Sequence, residues 1–240
     1  MTMALDNATI GAFLATLVRA TALTATAPVI GEGGVPLRAK VVFVLVITGA
    51  IASNRAGVPL EALPLVSAIE LSVGLVTGLT ARFIMARAAV AGQLMGLSLG
   101  FGFASQYDVH AGESAITLRT LLTTMSALAF LAVGGLEAIV RGVAAPAHVL
   151  DLASFGPELL REGAAAMGHG LTLAAPVVLA ALVGNIGFAV MNRAAPAINV
   201  FSIALSAVLI IGGTVLLGAS GGVVGGVLDH AREAAAVFAR

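Results

Sequence analysis

Leu171-Thr-Leu-Ala-Ala-Pro-Val-Val-Leu-Ala-Ala-Leu-Val-Gly-Asn-Ile-Gly-Phe-Ala-Val-Met-Asn-Arg193-Ala-Ala-Pro-Ala-Ile-Asn-Val-Phe-Ser-Ile-Ala-Leu-Ser-Ala-Val-Leu-Ile-Ile211 is the stretch on which the fold turns. It lies within a longer run, Gly163 to Leu228, whose single formal charge is Arg193. Such a run is too long and too apolar for a helix of an ordinary soluble core. It has room for two spans of ~20 residues, each able to cross a hydrocarbon layer of ~30 Å. The polar phrase Met191-Asn-Arg-Ala-Ala-Pro196 then predicts a turn between them. An arginine in such surroundings is costly unless it lies at an interface or is paired. The chain is read as a membrane protein, or as part of an assembly built into a membrane.

Composition points the same way. The chain is 59% hydrophobic and 10% charged, with a mean hydropathy of +1.07. Soluble domains carry about 25% charged residues. Twelve basic and twelve acidic side chains cancel, which removes the electrostatic case for nucleic acid. Cysteine is absent, so disulfides and thiolate metal sites are excluded. The 29 glycines among 240 residues exceed the usual ~7%, an excess that suits helices whose backbones touch. No basic residue precedes the first apolar run and Asp6 stands where a basic region belongs, so a secretory signal is not expected.

Working outward, the chain divides into apolar segments with short polar joints. The expected segments are 8–30, 41–54, 62–81, 83–107, 115–140, 163–192 and 194–228, with a polar connection at 141–162. The joint Gly31-Glu-Gly-Gly-Val-Pro-Leu-Arg-Ala-Lys40 combines helix-breaking glycines, Pro36 and the cations Arg38 and Lys40. Residues 229–240 read as a short amphipathic C-terminal tail with Asp229 as its N-cap, attached to a single domain over 1–240. Long unbroken apolar runs are the opposite of the alternation a β-barrel needs, so the expected fold is all-α and polytopic. Several segments are short or carry a charge or proline (Pro28, Pro64, Pro176, Pro196). Broken helices persist at membrane depth only when buried in protein or lining a water-filled cavity, which predicts packing against other subunits.

Gly92, Gly96 and Gly100 fall on one helix face, and Gly74 and Gly78 repeat the spacing one segment earlier. Small residues so spaced let helix backbones approach, within one chain or between chains. The segment that follows, Phe101-Gly-Phe-Ala-Ser-Gln-Tyr-Asp-Val-His-Ala-Gly112, is apolar and aromatic first and polar later. From its residues it is either a mobile plug or a plain loop at the lipid headgroups, and the plain loop is the simpler reading. Arg19, Glu70, Arg87, Glu137 and Arg193 are the charges within or beside apolar segments. They fit an ion or proton relay, or static pairs and snorkelling cations that fix helix register. The four histidines lack metal-site spacing, no phosphate loop occurs, and no catalytic set is visible, so neither cofactor nor enzymatic activity is expected.

Several phrases together carry a family resemblance. Arg19-Ala-Thr-Ala-Leu-Thr-Ala-Thr-Ala-Pro28 followed by Val35-Pro-Leu-Arg-Ala-Lys40 resembles the N-terminal signature of the FliR family of the type III export gate. Glu70-x-x-x-Gly74-x-x-x-Gly78 looks like its Glu/Gly helix, and Ala91-Gly-Gln-Leu-Met-Gly-Leu-Ser-Leu-Gly100 like its Ala-Gly-x-x-x-Gly-x-x-x-Gly segment. Asn192-Arg193-Ala-Ala-Pro196-Ala-Ile-Asn199-Val-Phe201 is similar to its Asn-Arg-x-x-Pro-x-x-Asn motif. The phrases come in the family's order over about 19–205. Two departures stand out: Asp108 is followed by Val109 where the family commonly has proline, and Ala204-Leu-Ser206 replaces another common proline.

The resemblance implies a subunit that joins FliP-, FliQ- and FlhB-like partners in the bacterial inner membrane, at a flagellar basal body, and passes unfolded secreted proteins. The injectisome branch, SctT, shares the skeleton and stays open as an alternative. A small secondary transporter is the alternative of another class. By the same resemblance, the loop after the glycine helix is a channel plug, here Phe101, Gly102, Phe103, Ser105, Gln106, Tyr107, Asp108 and Gly112. Phe101 and Phe103 would seal against ions while glycines free the tip. Assembly or buried polar roles fall to Arg19, Pro28, Pro36, Arg38, Lys40, Glu70, Asn192, Arg193, Pro196 and Asn199.

Overall fold

The computed structural model describes residues 6–101, 117–145, 152–194 and 200–239. Among them lie α1 (Asn7–Thr26), α2 (Leu37–Ala52), α3 (Leu63–Ser98), α4 (Thr117–Ala132), α5 (Gly135–Ala144), α6 (Leu152–Ala194) and α7 (Val200–Val237), with no strand among the described residues. Four helices are long and apolar enough to cross a membrane: α1, α3, α6 from Leu159 and α7 from Ile203. A fifth crossing is the bent pair α4 and α5, which meet at 62°. The 16 residues of α2 rise only about 24 Å, short of the ~30 Å hydrocarbon layer. The chain is a polytopic helical membrane protein.

Its residues form two compact units, 1–84 with 130–163 and 231–240, and 85–129 with 164–230. In the first unit α1 packs on α2 and on α5, and α2 packs on α5. The buried stripe of α1 includes Ala12, Ala15, Thr16, Arg19, Ala20 and Leu23, mostly small residues that bring a neighbouring backbone close. At Gly74 of α3 an added Cβ would lie 2.8 Å from the Arg19 carbonyl oxygen and 2.9 Å from Ala22 Cβ. One at Gly78 would strike Thr26 Oγ1. These two glycines therefore let α3 touch α1 backbone to side chain.

The bend between α4 and α5 has an identifiable cause. Gly134 takes φ +82, a left-handed conformation that costs a Cβ-bearing residue about 1 kcal/mol or more. Beside it, Gly135 packs against the Phe130 ring, and Phe130 meets Phe238 edge-on at 6.4 Å. Another turn carries strain. After α1 ends, Val29 has φ 66 and the Ile30 amide donates to the Pro28 carbonyl at 2.8 Å. That is a γ-turn of positive φ, rare for any residue and a true outlier for a β-branched one. Pro28 is buried there, and the Gly31 amide closes the turn on Ala27 O at 3.0 Å.

In the second unit a Cβ at Gly92 would lie 2.6 Å from Leu118 O and 2.7 Å from Arg119 Cα, so α3 and α4 touch at the backbone. Gly170 of α6 sits 3.0 Å by the same measure from the Arg87 carbonyl oxygen of α3. Gly226 of α7 meets Leu173 of α6 at 2.8 Å.

The helix boundaries differ from the sequence reading in several places. The expected break near Arg82 is absent: α3 runs straight through it, because an exposed arginine is a good helix former and no glycine or proline stops the turn there. Asp229 is not an N-cap, since α7 continues from Val200 to Val237 and 229–237 is its last part. That part is still amphipathic, burying Ala231, Ala234 and Phe238 while Arg232 and Glu233 are exposed. The polar connection at 141–162 is largely helical, shared between α5 and α6, with 146–151 outside the described residues. Pro176 does not break α6, which passes through it.

Gly74→Val is expected to prevent close approach of α3 and α1 and, in the chain co-expressed with its neighbouring subunits, to abolish the monodisperse peak in fluorescence-detected size exclusion. Gly49→Ala, in the interior of α2 with open space around it, serves as the contrast. It should leave that peak intact and raise the melting temperature by the equivalent of up to ~1 kcal/mol.

Candidate functional site

Glu70 sits one turn before Gly74 on α3. Because Gly74 lets α3 rest on the Arg19 carbonyl, Glu70 is carried to the Arg19 side chain. The two form an ion pair through Arg19 Nε and Glu70 Oε2, with side chains 0% and 4% exposed. The other carboxylate oxygen accepts from Arg55 Nη1 at 2.9 Å. Arg55 comes from the α2–α3 connection and is 15% exposed.

Both guanidiniums also reach the carboxyl-terminal end of α5. Arg55 Nη2 donates to Val143 O and Ala145 O, each at 2.8 Å. Arg19 Nη1 donates to Ala145 O and, at 3.5 Å, to Gly142 O. A helix end leaves its last carbonyls without intrahelical donors and carries a partial charge of about −0.5. Two arginines meet both needs here. The connection bearing Arg55 is itself stitched to α1: the Val58 amide donates to Ala8 O at 2.9 Å, and Gly11 lies against the Val58 carbonyl. A cavity of about 350 Å³ opens beside the cluster, between Ala12 and Ala15 of α1, the connection 54–58, Glu70 and Ala144.

Chemically this is a static clamp. One carboxylate is shared by two guanidiniums, whose planar forks serve it and the helix-end carbonyls together. Its worth is structural: breaking a buried pair strands a charge and costs about 3–5 kcal/mol.

Arg19 and Glu70 were singled out by the sequence, and the structure brings them together. Arg55 was missed. It stands in an unremarkable polar joint, Ser53-Asn-Arg-Ala-Gly57, and the available signal was a lone cation one joint away from a buried acid. The other expected positions are spread through the molecule. Gly96 is buried on α3, whereas Gly100 at φ +82 lies just past the end of that helix and stops it, instead of extending the packing face. Pro36 is the N-cap of α2, Arg38 is exposed in its first turn, and Lys40 donates to Glu32 O at 2.9 Å. Asn192 and Arg193 are exposed in the last turn of α6, not in a turn between helices, and the Arg193 charge complements the carbonyl end there. Pro196 and Asn199 lie outside the described residues, as do Gly102, Phe103, Ser105, Gln106, Tyr107, Asp108 and Gly112; Phe101 is half-buried. Two features outside the clamp are polar as well. Arg87 is buried on α3, and His169 of α6 faces His230 of α7 with ring centroids 6.1 Å apart.

A polytopic helical membrane protein with an arginine-clamped half-helix is the class these features define. The chain matches the family described as bacterial export proteins, family 1, over residues 10–234, and it belongs to that family. It is similar to the flagellar biosynthetic protein FliR of Escherichia coli (strain K12), 28% identical over 212 residues that cover 82% of this chain and 79% of that one. FliR of Aquifex aeolicus (strain VF5) is 32% identical over 154 residues, 62% of this chain and 59% of that protein. FliR of Caulobacter vibrioides (strain ATCC 19089 / CIP 103742 / CB 15) is 26% identical over 245 residues, 94% and 96% of the two chains.

Replacing Glu70 by Leu strands one buried and one half-buried cation and is expected to cost about 3–5 kcal/mol, read as a loss of folded protein and a lower melting temperature of the chain co-purified with its neighbouring subunits. Arg38→Leu, at an exposed position, should change neither by more than ~0.5 kcal/mol. The triple change Arg19→Met, Arg55→Met and Glu70→Met should recover only part of the loss, because the carbonyl end of α5 is then uncapped.

Proposed function

We propose that this chain is a core subunit of a flagellar type III export gate, forming with FliP- and FliQ-like subunits the channel through which unfolded proteins leave the cytoplasm. The observation that carries it is the family match, which runs through residues 10–234 and so includes the clamp, the glycine helix and the long apolar helices. The flagellar branch is preferred to the injectisome and to a solute transporter because the similar curated proteins carry the flagellar name.

The helices support a role among neighbours. Large apolar side chains stand exposed along them, including Leu182, Val183, Ile186 and Val190 on α6 and Ile203, Ile210 and Leu217 on α7. Lipid covers part of such a surface, and other subunits are suited to the part beside short and bent elements such as α2 and the α4–α5 pair. In this reading the location is the bacterial inner membrane at the basal body, FlhB-like protein is a further partner, and Phe101–Gly112 is the plug. Its aromatic residues would supply the apolar bulk that a barrier to ions needs at a narrow point. The whole chain acts as one export-gate domain, with its amphipathic end at 229–240. No catalytic step is assigned to it.

Expression of this chain alone in detergent should give aggregated or degraded material, and co-expression with FliP- and FliQ-like subunits should rescue a single complex whose mass is read by native mass spectrometry. A monodisperse homodimer that moves a small solute would overturn the proposal. Within the rescued complex, Arg193→Leu should weaken assembly more than Arg240→Leu. Deletion of Ser105–Gly112 should leave assembly intact and make the membrane leaky to small ions, measured as sodium or chloride flux in cells expressing the complex.

A further inference from the structure

The clamp has an unbalanced charge. Among the described residues two buried or nearly buried guanidiniums face one carboxylate, a formal excess of +1, and the carbonyl end of α5 offsets only about half of it. Arg19 is fully buried, and its Nη2 finds no acceptor among the described residues. Excess charge out of water costs several kcal/mol unless an opposite charge approaches. The cavity of about 350 Å³ is the open approach: Arg55 and Glu70 line it, and the exposed amide of Asn54 stands on its wall. Its size is many times the ~30 Å³ share of one water.

We propose that this cavity holds the phosphate of an anionic phospholipid. Three observations favour a lipid over a carboxylate on a protein segment. Beside the ions and Asn54 the walls are Ala12, Ala15, Ala56, Val58 and Ala144, so one neutral amide is the single uncharged side-chain partner that the described walls offer to the polar backbone of an inserted peptide. The same elements carry exposed apolar side chains, Ile10, Phe13 and Leu14 of α1 and Leu60 after the connection, which suit acyl chains. The cavity also lies beside the ends of apolar helices, near the start of α1 and at the last residue of α5, and headgroups flank the ends of spans. A phosphate oxygen there would accept from the Asn54 amide and from the Arg55 guanidinium, which matches phosphate as well as carboxylate.

The test uses the complex purified from membranes and stripped of lipid with detergent. It is titrated with dihexanoyl-phosphatidylglycerol, dihexanoyl-phosphatidylcholine or inorganic phosphate, and binding is read by native mass spectrometry and thermal shift. Phosphatidylglycerol should bind about tenfold or more tightly than the other two, the effect of one or two charge-assisted contacts. Ala56→Leu fills the cavity from an exposed position, and Asn54→Asp supplies the anion from the chain itself. Each should weaken phosphatidylglycerol binding about tenfold while leaving the melting temperature of the lipid-free complex unlowered. Equal binding of the two lipids, or unchanged binding in both variants, would overturn the proposal. Inorganic phosphate binding as tightly as phosphatidylglycerol would assign the cavity to a free anion. Carbodiimide coupling of Asn54→Lys to a carboxylate of a neighbouring subunit would assign it to protein.

Discussion

One carboxylate holds two arginines, and those arginines hold the end of a half-helix. Arg19 belongs to α1, Arg55 to the α2–α3 connection, Glu70 to α3, and the carbonyls they reach to the end of α5. Four segments of the chain thus meet at one largely buried point. A buried ion pair is often no more stabilising than well-packed apolar residues would be. What it supplies is specificity, because any register that separates the partners leaves a charge without a counter-charge.

The rest of the first unit follows from that point. Gly74 must be glycine for α3 to come close enough to present Glu70, so a packing residue and an electrostatic one are coupled through a single helical turn. The bend at Gly134 then directs α5 so that its last carbonyls arrive where the guanidiniums are. A half-helix that ends inside protein needs donors for those carbonyls, and arginine is better suited than lysine since its planar fork serves a carboxylate and carbonyls at once. The strained turn at Val29 belongs to the same geometry. A distorted backbone persists only when its surroundings over-determine it, and here buried Pro28 and the ends of α1 do so.

Much of this was legible in the sequence, and what was not has physical reasons. Apolar length announced a polytopic membrane protein, since nothing else explains the run around Arg193. Arg19 and Glu70 stood out because a charge is rare inside an apolar segment. Arg55 did not, because a cation in a polar joint looks solvated until the fold shows what it reaches. The misplaced break at Arg82 arose from taking that one charge as punctuation, although a side chain with a long aliphatic stem costs little on an exposed helix face. Gly100 belonged to a regular spacing yet acts as a stop, and spacing cannot reveal a backbone angle. Asp229 resembled a cap because it follows a long apolar run and opens a charged stretch, yet α7 continues through it without interruption.

The long helices have a geometric consequence. At 1.5 Å per residue, the 36 residues of α3 extend about 54 Å, the 43 of α6 about 65 Å and the 38 of α7 about 57 Å. A hydrocarbon layer of ~30 Å accommodates little more than half of any of them, and tilts of up to ~40° absorb only part of the difference. Each therefore works as a mast as well as a crossing, rising clear of the bilayer by several turns. The charged end of α7, with Asp229, Arg232 and Glu233, and the polar start of α6 before Gly163 are then the parts suited to stand in water.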